Sequence, residues 1–189
     1  MKVLRNPIVL FLTLFFMLFG GIILYKEFIV DAGPEDALTG GSDQVVPDFV
    51  VIDADGREVK LSDFRGEPII LSFFASWHGQ CITELPAFES TFKERGAEAQ
   101  FMMVDIVGNG RETLESGQAF IERSGYTFPV FYDVNQDAAK KYRVRAVPVT
   151  FFIDAEGALL AVGEGRIDEE TLNQGLDIIT GKAEADLEK

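Results

Sequence analysis

Two uninterrupted apolar segments, each followed by a helical pattern, constrain the fold of this chain more than any other feature. Residues 69–74 (IILSFF) and 100–106 (QFMMVDI) lack polar alternation and are typical of strands buried on both faces. The apolar periodicity after them predicts helices over residues 78–97 and 111–124. Strands that alternate with helices predict parallel neighbours in a sheet that is covered by helices.

Shorter strands and helices flank these two strand–helix segments. The sequence predicts further strands at residues 49–53, 58–61, 128–132, 149–154 and 159–162, and helices at 137–142 and 168–179. Turn residues at Asp55-Gly56 and at 155–157 (AEG) predict two hairpins, so the last strands should form an antiparallel edge. The predicted fold class is α/β, with a mixed central sheet flanked by helices over residues 47–181.

The N-terminal region predicts a membrane anchor. Residues 6–25 are an uncharged stretch long enough, at about 1.5 Å per helical residue, to cross a bilayer core of roughly 30 Å. Lys2 and Arg5 precede it and favour a cytoplasmic N-terminus. A cleaved signal peptide is the alternative, but no small-residue cleavage site follows the stretch. We therefore expect residues 1–30 to be a retained signal anchor, with the rest of the chain outside the cytoplasm, in the periplasm or at the outer face.

The remaining segments and the charge limit the partners. Residues 31–46 are rich in Gly and Asp and predict a flexible spacer, while 182–189 predict a solvated acidic tail. The chain carries 17 Lys and Arg against 31 Asp and Glu, a net charge of -14 that argues against nucleic-acid binding. Its one cysteine excludes a disulfide framework, a Cys-rich zinc site or an iron–sulfur cluster within one chain.

The single cysteine lies in a chemically favourable place. The segment ASWHGQCITELP, residues 75–86, stands where a buried strand ends and a helix begins. Unpaired N–H groups and partial positive charge at a helix start favour a thiolate, so Cys81 is the candidate nucleophile. The only histidine, His78, is three residues away and is the candidate activator. Glu84 is three residues further on, where its charge would oppose a thiolate and its carboxyl group could hold a proton.

This segment resembles the motif of the thioredoxin-like TlpA/ResA/CcmG family, membrane-anchored thiol–disulfide oxidoreductases in the AhpC/TSA-redoxin superfamily. The matching residues are Ala75, Ser76, Trp77, Cys81, Glu84 and Pro86, with a similar lead-in at Leu61–Gly66 and a similar strand at Thr150–Asp154. The resemblance implies a thioredoxin-like fold and a cis peptide bond at Val147–Pro148. It also implies that the backbone before Pro148 pairs with the substrate, and that Trp77, Gly79 and Gln80 complete the binding site.

One residue departs from the family pattern. His78 stands where the family carries the first cysteine of C-x-x-C, its exposed nucleophile. Disulfide exchange within one chain needs a second sulfur, which this chain lacks. The resulting hypothesis is single-cysteine exchange, in which Cys81 forms mixed disulfides with protein thiols or a small thiol and needs no cofactor. A buried and inert Cys81 is the alternative, because free cysteines are often core residues.

Other functions remain open from the sequence. A one-cysteine peroxidase is one, because peroxiredoxins share the fold. A non-catalytic module that binds a partner in the retained groove is another. His78 and Cys81 could supply only two ligands to a metal ion, so no metal site is predicted. The basic run of residues 140–145 (KKYRVR) is interpreted as a solvated helix face, with attraction of an acidic partner as the alternative hypothesis.

Overall fold

The computed structural model describes residues 45–108 and 110–185. Its strands are β1 (Val50–Ile52), β2 (Glu58–Lys60), β3 (Ile69–Phe74), β4 (Gln100–Asp105), β5 (Val130–Tyr132), β6 (Val149–Ile153) and β7 (Leu159–Glu164). Its helices are α1 (Gly79–Arg95), α2 (Leu114–Ser124), α3 (Asp137–Lys141), α4 (Glu169–Ile179) and α5 (Lys182–Ala185), with a 3-10 turn at Leu61–Phe64.

The seven strands form one mixed sheet in the order β2-β1-β5-β4-β3-β6-β7. β3 pairs parallel with β4, and β4 pairs parallel with β5. β6 and β7 form the antiparallel edge, and the β1–β2 hairpin adds a second antiparallel pair at the other edge. The predicted mixed sheet with a parallel centre and an antiparallel edge is confirmed.

Both faces of the sheet are buried, which explains the uninterrupted apolar runs. In β3, Leu71 and Phe73 point into one core cluster while Ile70 and Phe74 point into the other. The first cluster also contains Phe49 before β1, Phe151 of β6, Ala138 of α3 and Tyr142 at the end of α3. The second contains residues of α1 and α4, among them Leu85, Phe88, Leu172 and Leu176. A strand between two such layers shows no polar alternation.

The helix boundaries differ from the predicted ones by a few residues. α1 begins at Gly79 with His78 as its N-cap residue, and it ends at Arg95. α2 begins at Leu114, three residues later than predicted, because Thr113 caps it: the Thr113 Oγ1 accepts a hydrogen bond from the Ser116 N–H at 3.1 Å. Such a side-chain acceptor satisfies one of the free N–H groups of the first turn.

The predicted spacer and tail need correction at their ends. Val45 pairs with Ala158 and Val46 is buried, so the part of the predicted spacer that the structure describes belongs to the domain. Lys182 begins a short helix and its Nζ lies 2.9 Å from a carboxylate oxygen of Glu98. The start of the predicted tail is therefore ordered against the domain.

The predicted anchor lies outside the described residues, together with most of the spacer and the end of the tail. These segments are residues 1–44 and 186–189. Among residues 45–108 and 110–185, no helix has both the length and the apolar character that a membrane span requires.

Candidate functional site

The candidate site is built on the loop that joins β3 to α1, at the carboxyl end of the parallel strands. The His78 N–H donates to the Ala75 carbonyl at 3.1 Å, and the His78 carbonyl accepts from the Ile82 N–H at 3.0 Å. The first bond ties the start of α1 to the residue that follows β3, and the second is the first bond of the helix itself. Gly79 and Gln80 are exposed on that turn, whereas Cys81 faces the core.

The thiol of Cys81 is fully buried beside the imidazole of His78. Its Sγ atom lies 3.4 Å from His78 Nδ1, and the side chain belongs to the α1-side core with Phe74 and Leu85. Burial raises the pKa of Cys81 to about 12, and this effect exceeds the lowering by a backbone hydrogen bond at Ala75. A helix N-terminus alone would favour a thiolate, but here desolvation outweighs it.

Glu84 lies behind the thiol and joins α1 to the segment before α4. Its side chain is buried, and Oε2 accepts a hydrogen bond from the Ile167 N–H at 3.2 Å, while Oε1 has no partner. Burial raises the pKa of Glu84 to about 8, although the charge of Arg166 opposes the rise. Glu84 therefore stays largely protonated at neutral pH. Loss of its proton would leave a negative charge that further disfavours a Cys81 thiolate.

Asp105 is a second buried carboxyl group near the thiol, and the sequence analysis did not single it out. It ends β4, is fully buried, and neither of its carboxyl oxygens has a hydrogen-bond partner. Burial, followed by the charge of Glu112, raises the pKa of Asp105 to about 8. Gly117 makes room for it, because a Cβ atom at that position would collide with Asp105 Oδ2. A carboxylate inside the apolar run QFMMVDI was the signal that could have found it.

Glu112 fixes the start of the site loop and was also missed. Its buried carboxylate accepts hydrogen bonds from the Ser76 N–H and the Ser76 Oγ, both at 2.8 Å, and from the Ser116 Oγ at 2.6 Å. It thereby connects the residue before Trp77 to the first turn of α2. No local pattern indicates this role, because Ser76 and Glu112 are far apart in the chain.

The exposed wall of the site is aromatic and cationic. Trp77 is 41% exposed, and the Arg111 guanidinium carbon lies 5.0 Å from the centroid of its ring. This arrangement is a cation–π contact. The ring of Trp77 also meets that of His78 edge-on, with their centroids 5.5 Å apart. Trp77 thus forms an accessible surface next to the imidazole that contacts the thiol.

The Val147–Pro148 segment is linked to α1 through residues 165–167. Its peptide bond is cis, and the Pro148 carbonyl accepts a hydrogen bond from the Gly165 N–H at 3.0 Å. Two residues later, the Ile167 N–H donates to Glu84, so residues 165–167 connect the proline loop to α1. Val147 packs against both core clusters, including the one that contains Cys81. We call the surface region of Trp77, His78 and the Val147–Pro148 segment the groove.

Within the described residues, no group of three or more histidine, cysteine, aspartate or glutamate side chains is arranged to hold a metal ion. The site presents one thiol, one imidazole and three buried carboxyl groups beside the exposed Trp77 and Arg111.

Comparisons with known proteins identify the family of this chain. Residues 43–162 match the model of the AhpC/TSA family. The thiol-disulfide oxidoreductase ResA of Geobacillus kaustophilus (strain HTA426) is 31% identical over 162 residues, covering 84% of this chain and 87% of that protein. ResA of Bacillus subtilis (strain 168) is 28% identical over 159 residues, covering 84% of each.

Solved structures show the same fold. The pneumococcal exposed lipoprotein thioredoxin Etrx1 from Streptococcus pneumoniae strain TIGR4 superposes with a TM-score of 0.63 at 29% identity, covering 69% of this chain and 98% of that one. A putative thiol:disulfide interchange protein DsbE from Chlorobium tepidum gives a TM-score of 0.65 at 26% identity, covering 74% and 98%. The chain therefore belongs to the AhpC/TSA family, with a thioredoxin-like fold and relatives named thiol-disulfide oxidoreductases.

Proposed function

We propose that this protein exchanges disulfides with polypeptide or small-molecule thiols through the single thiol of Cys81, with His78 as its proton acceptor. The observation that carries this proposal is the 3.4 Å contact between Cys81 Sγ and His78 Nδ1 at the floor of the groove. An imidazole at this distance can take the thiol proton, which converts a weak nucleophile into a thiolate. The names of the relatives support thiol exchange as the reaction class.

The proposed reaction balances with one protein sulfur and one external disulfide. The Cys81 proton moves to His78 Nδ1, and the thiolate attacks one sulfur of the partner disulfide. A new bond forms between Cys81 Sγ and that sulfur, the partner's S–S bond breaks, and the departing thiolate takes a proton from the imidazolium. A second external thiol then attacks the mixed disulfide and regenerates Cys81. Because Sγ is fully buried, the His78 side chain must move away before the attack.

The test is the reaction of the folded full-length chain, in detergent micelles, with the aromatic disulfide dithiobis(nitrobenzoate). We expect release of one equivalent of nitrothiobenzoate per chain, with a rate that rises between about pH 4 and about pH 10. The Cys81→Ser variant is the matched control and should release none. No release from the folded chain until denaturant is added would contradict the exchange function.

A non-catalytic binding module is the second candidate, and one observation favours it. Cys81 is completely buried and its pKa is raised to about 12, so few molecules carry a thiolate at neutral pH. The groove between Trp77 and Pro148 would then hold a partner without a covalent step. Binding of a peptide by the Cys81→Ser variant, combined with an unreactive wild-type thiol, would select this candidate.

We also propose that the domain is anchored to a membrane and faces away from the cytoplasm. The support is the uncharged stretch of residues 6–25 with Lys2 and Arg5 before it. The test is protease treatment of intact cells or spheroplasts that produce the full chain. Degradation of the domain from outside, with retention of the chain in the membrane fraction, is expected. A chain that is protected in intact spheroplasts, or recovered in the soluble fraction, would contradict this placement.

A further inference from the structure

The end of β4 places a buried carboxyl group on the same face of the sheet as the thiol. Asp105 pairs in parallel register with Phe74, the last residue of β3, and the Ile106 N–H donates to the Phe74 carbonyl at 3.0 Å. Paired residues of neighbouring strands point to the same face, and the strands lie about 4.8 Å apart. The Phe74 side chain lies in the core cluster that contains Cys81. Asp105 is therefore a direct neighbour of the strand end on which the site is built.

The thiol is connected to this strand end through the backbone. Burial is the main cause that raises the pKa of Cys81, and a backbone hydrogen bond at Ala75, the residue after Phe74, lowers it. The charges of Glu84 and of Asp105 each raise it further. An ionised Asp105 would thus act on the thiol from β4, whereas an ionised Glu84 would act on it from within α1.

The Asp105 side chain occupies a space that is suited to a neutral acid. It is fully buried, and neither of its carboxyl oxygens has a hydrogen-bond partner. Gly117 of α2 leaves the room that Asp105 Oδ2 fills. A carboxylate in such a place would lose its hydration without gaining hydrogen bonds, which makes the charged form costly. The geometry therefore favours a protonated Asp105.

The titratable groups around Asp105 and the thiol act in the same direction or leave this state unchanged. They are His78 and Glu84 at α1, Arg111 and Glu112 before α2, and Tyr132 of β5. Burial, followed by the charge of Glu112, raises the pKa of Asp105 to about 8. Burial, followed by the charge of Asp105, raises the pKa of Tyr132 to about 12, so the phenol is neutral at pH 7. The Arg111 guanidinium lies over the ring of Trp77.

We propose that Asp105 is a positioning residue of the exchange site, which keeps a proton beside Cys81 and, once ionised, opposes formation of the thiolate. The inference rests on the proposed exchange function, because it assigns a further residue to the same reaction. While the carboxyl group is neutral, it places no charge beside the sulfur. When it ionises, its negative charge in a water-poor site makes the thiolate less stable. Asp105 therefore limits how far exchange accelerates as pH rises.

The test is the pH dependence of Cys81 alkylation by iodoacetamide, an uncharged reagent, in the full-length chain in uncharged detergent micelles. The rate follows the thiolate fraction, which rises about tenfold per pH unit below the pKa of the thiol. Asp105→Asn should match the wild type below about pH 6, where position 105 is neutral in both chains. Above about pH 8 it should react several-fold faster than the wild type. A merely loosened structure would instead raise the rate at every pH.

Asp133→Asn is the matched control, because it makes the same change at a buried aspartate that faces the other side of the sheet. The Asp133 carboxylate accepts hydrogen bonds from the N–H groups of Asp137 and Ala139 in α3, which packs on the first core cluster. This variant should keep the wild-type alkylation profile. Coinciding profiles for the wild type and Asp105→Asn, or a constant ratio between them at every pH, would overturn the inference.

A second measurement does not depend on the folding of Asp105→Asn. Glu84→Gln removes the other buried acid near the thiol and keeps Asp105. Its alkylation rate should rise about tenfold per pH unit up to about pH 7 and more slowly above about pH 8, where Asp105 ionises. An unbroken tenfold rise from about pH 5 to about pH 10 would also overturn the inference.

Release of nitrothiobenzoate by the same samples separates this inference from the exchange function. If the wild type releases it but alkylates with the same profile as Asp105→Asn, exchange stands and the role of Asp105 fails. If the wild type releases none but the two alkylation profiles diverge above about pH 8, exchange fails and the control of the thiolate by Asp105 stands. A folded chain that is not alkylated at any pH would overturn both.

Discussion

The imidazole of His78 lies against the thiol of Cys81, with Nδ1 3.4 Å from Sγ, one residue before the first turn of α1. The two side chains are three residues apart and occupy adjacent positions at the helix start. One is partly exposed and the other is fully buried. His78 is therefore the partly exposed neighbour of the only thiol of the chain, and variants of His78 test access to that thiol.

Replacing His78 with cysteine should create a dithiol. Because the His78 imidazole already contacts Sγ, a cysteine at this position brings a second sulfur into reach of Cys81. We expect the His78→Cys chain to lose both free thiols on mild oxidation, with a mass decrease of two hydrogens, and to reduce insulin disulfides in the presence of a reductant. The measurement is thiol counting combined with mass spectrometry.

His78→Ser is the matched control, since it removes the imidazole without adding a sulfur. It should keep one free thiol and show no reductase activity. Two free thiols in His78→Cys after oxidation of the folded chain would mean that the position cannot support a disulfide.

Removing the charge of Glu84 should make Cys81 react at lower pH. The Glu84 carboxylate is one of the charges that raise the pKa of the thiol, and the amide of Glu84→Gln retains an oxygen to accept the Ile167 N–H. We expect the pH profile of Cys81 alkylation to shift toward lower pH. Glu94→Gln makes the same chemical change at an exposed position of the same helix and should leave the profile unaltered. Coinciding profiles for the wild type and Glu84→Gln would refute this coupling.

The stability of the domain should fall as pH rises from about 4 to about 8. Burial raises the folded-state pKa of Asp105 and Glu84 to about 8, so the folded chain holds protons that the unfolded chain has released. Their stabilisation is complete below the unfolded pKa values and is lost by about pH 8. Each group contributes a slope of at most about 1.4 kcal/mol per pH unit in this window.

Urea unfolding at several pH values measures this slope. Asp105→Asn cannot ionise, so the decline in unfolding free energy between about pH 5 and about pH 8 should be smaller than in the wild type. Asp55→Asn changes an exposed residue of the β1–β2 hairpin and should keep the wild-type slope. An equally steep decline in Asp105→Asn would show that this carboxyl group does not cause it.

A side chain at position 117 should destabilise the domain. The Cβ atom of Gly117→Ala would collide with Asp105 Oδ2 and come close to Tyr132, and overpacking of this kind costs about 1–3 kcal/mol. Gly79→Ala adds the same methyl group in open space at the first position of α1, so we expect no loss there. Thermal or urea unfolding measures both changes.

The clash also predicts coupling between the two positions. Asp105→Ala removes the oxygen that Gly117→Ala would meet, so the double variant should lose less stability than the sum of the two single variants. Strictly additive losses would place the strain of Gly117→Ala somewhere other than at Asp105.

Much of the architecture followed from local patterns. The run at residues 69–74 coincides with β3, and the run at 100–106 contains β4, because uninterrupted apolar segments are required by strands covered on both faces. The helix ends were less predictable. α2 starts three residues later than predicted because Thr113 is its N-cap residue and accepts a hydrogen bond from the Ser116 N–H.

The candidate site was predictable only in part. Trp77, His78, Cys81 and Glu84 are close in sequence, and a helix start brings such residues together. Asp105 and Glu112 reach the same place from β4 and from the segment before α2. Their roles depend on contacts with Gly117 and Ser76, which no spacing along the chain indicates.

The sequence by itself determined the order of strands and helices, the mixed sheet and the position of the single thiol at a helix start, because periodicity, turns and caps are properties of neighbouring residues. Only the tertiary structure decided the chemical state of that thiol. Cys81 is fully buried beside two protonatable carboxyl groups, and desolvation by distant segments outweighs the local field of its helix. The surroundings of a buried group come from the whole fold, so its pKa cannot be deduced from its neighbours in sequence.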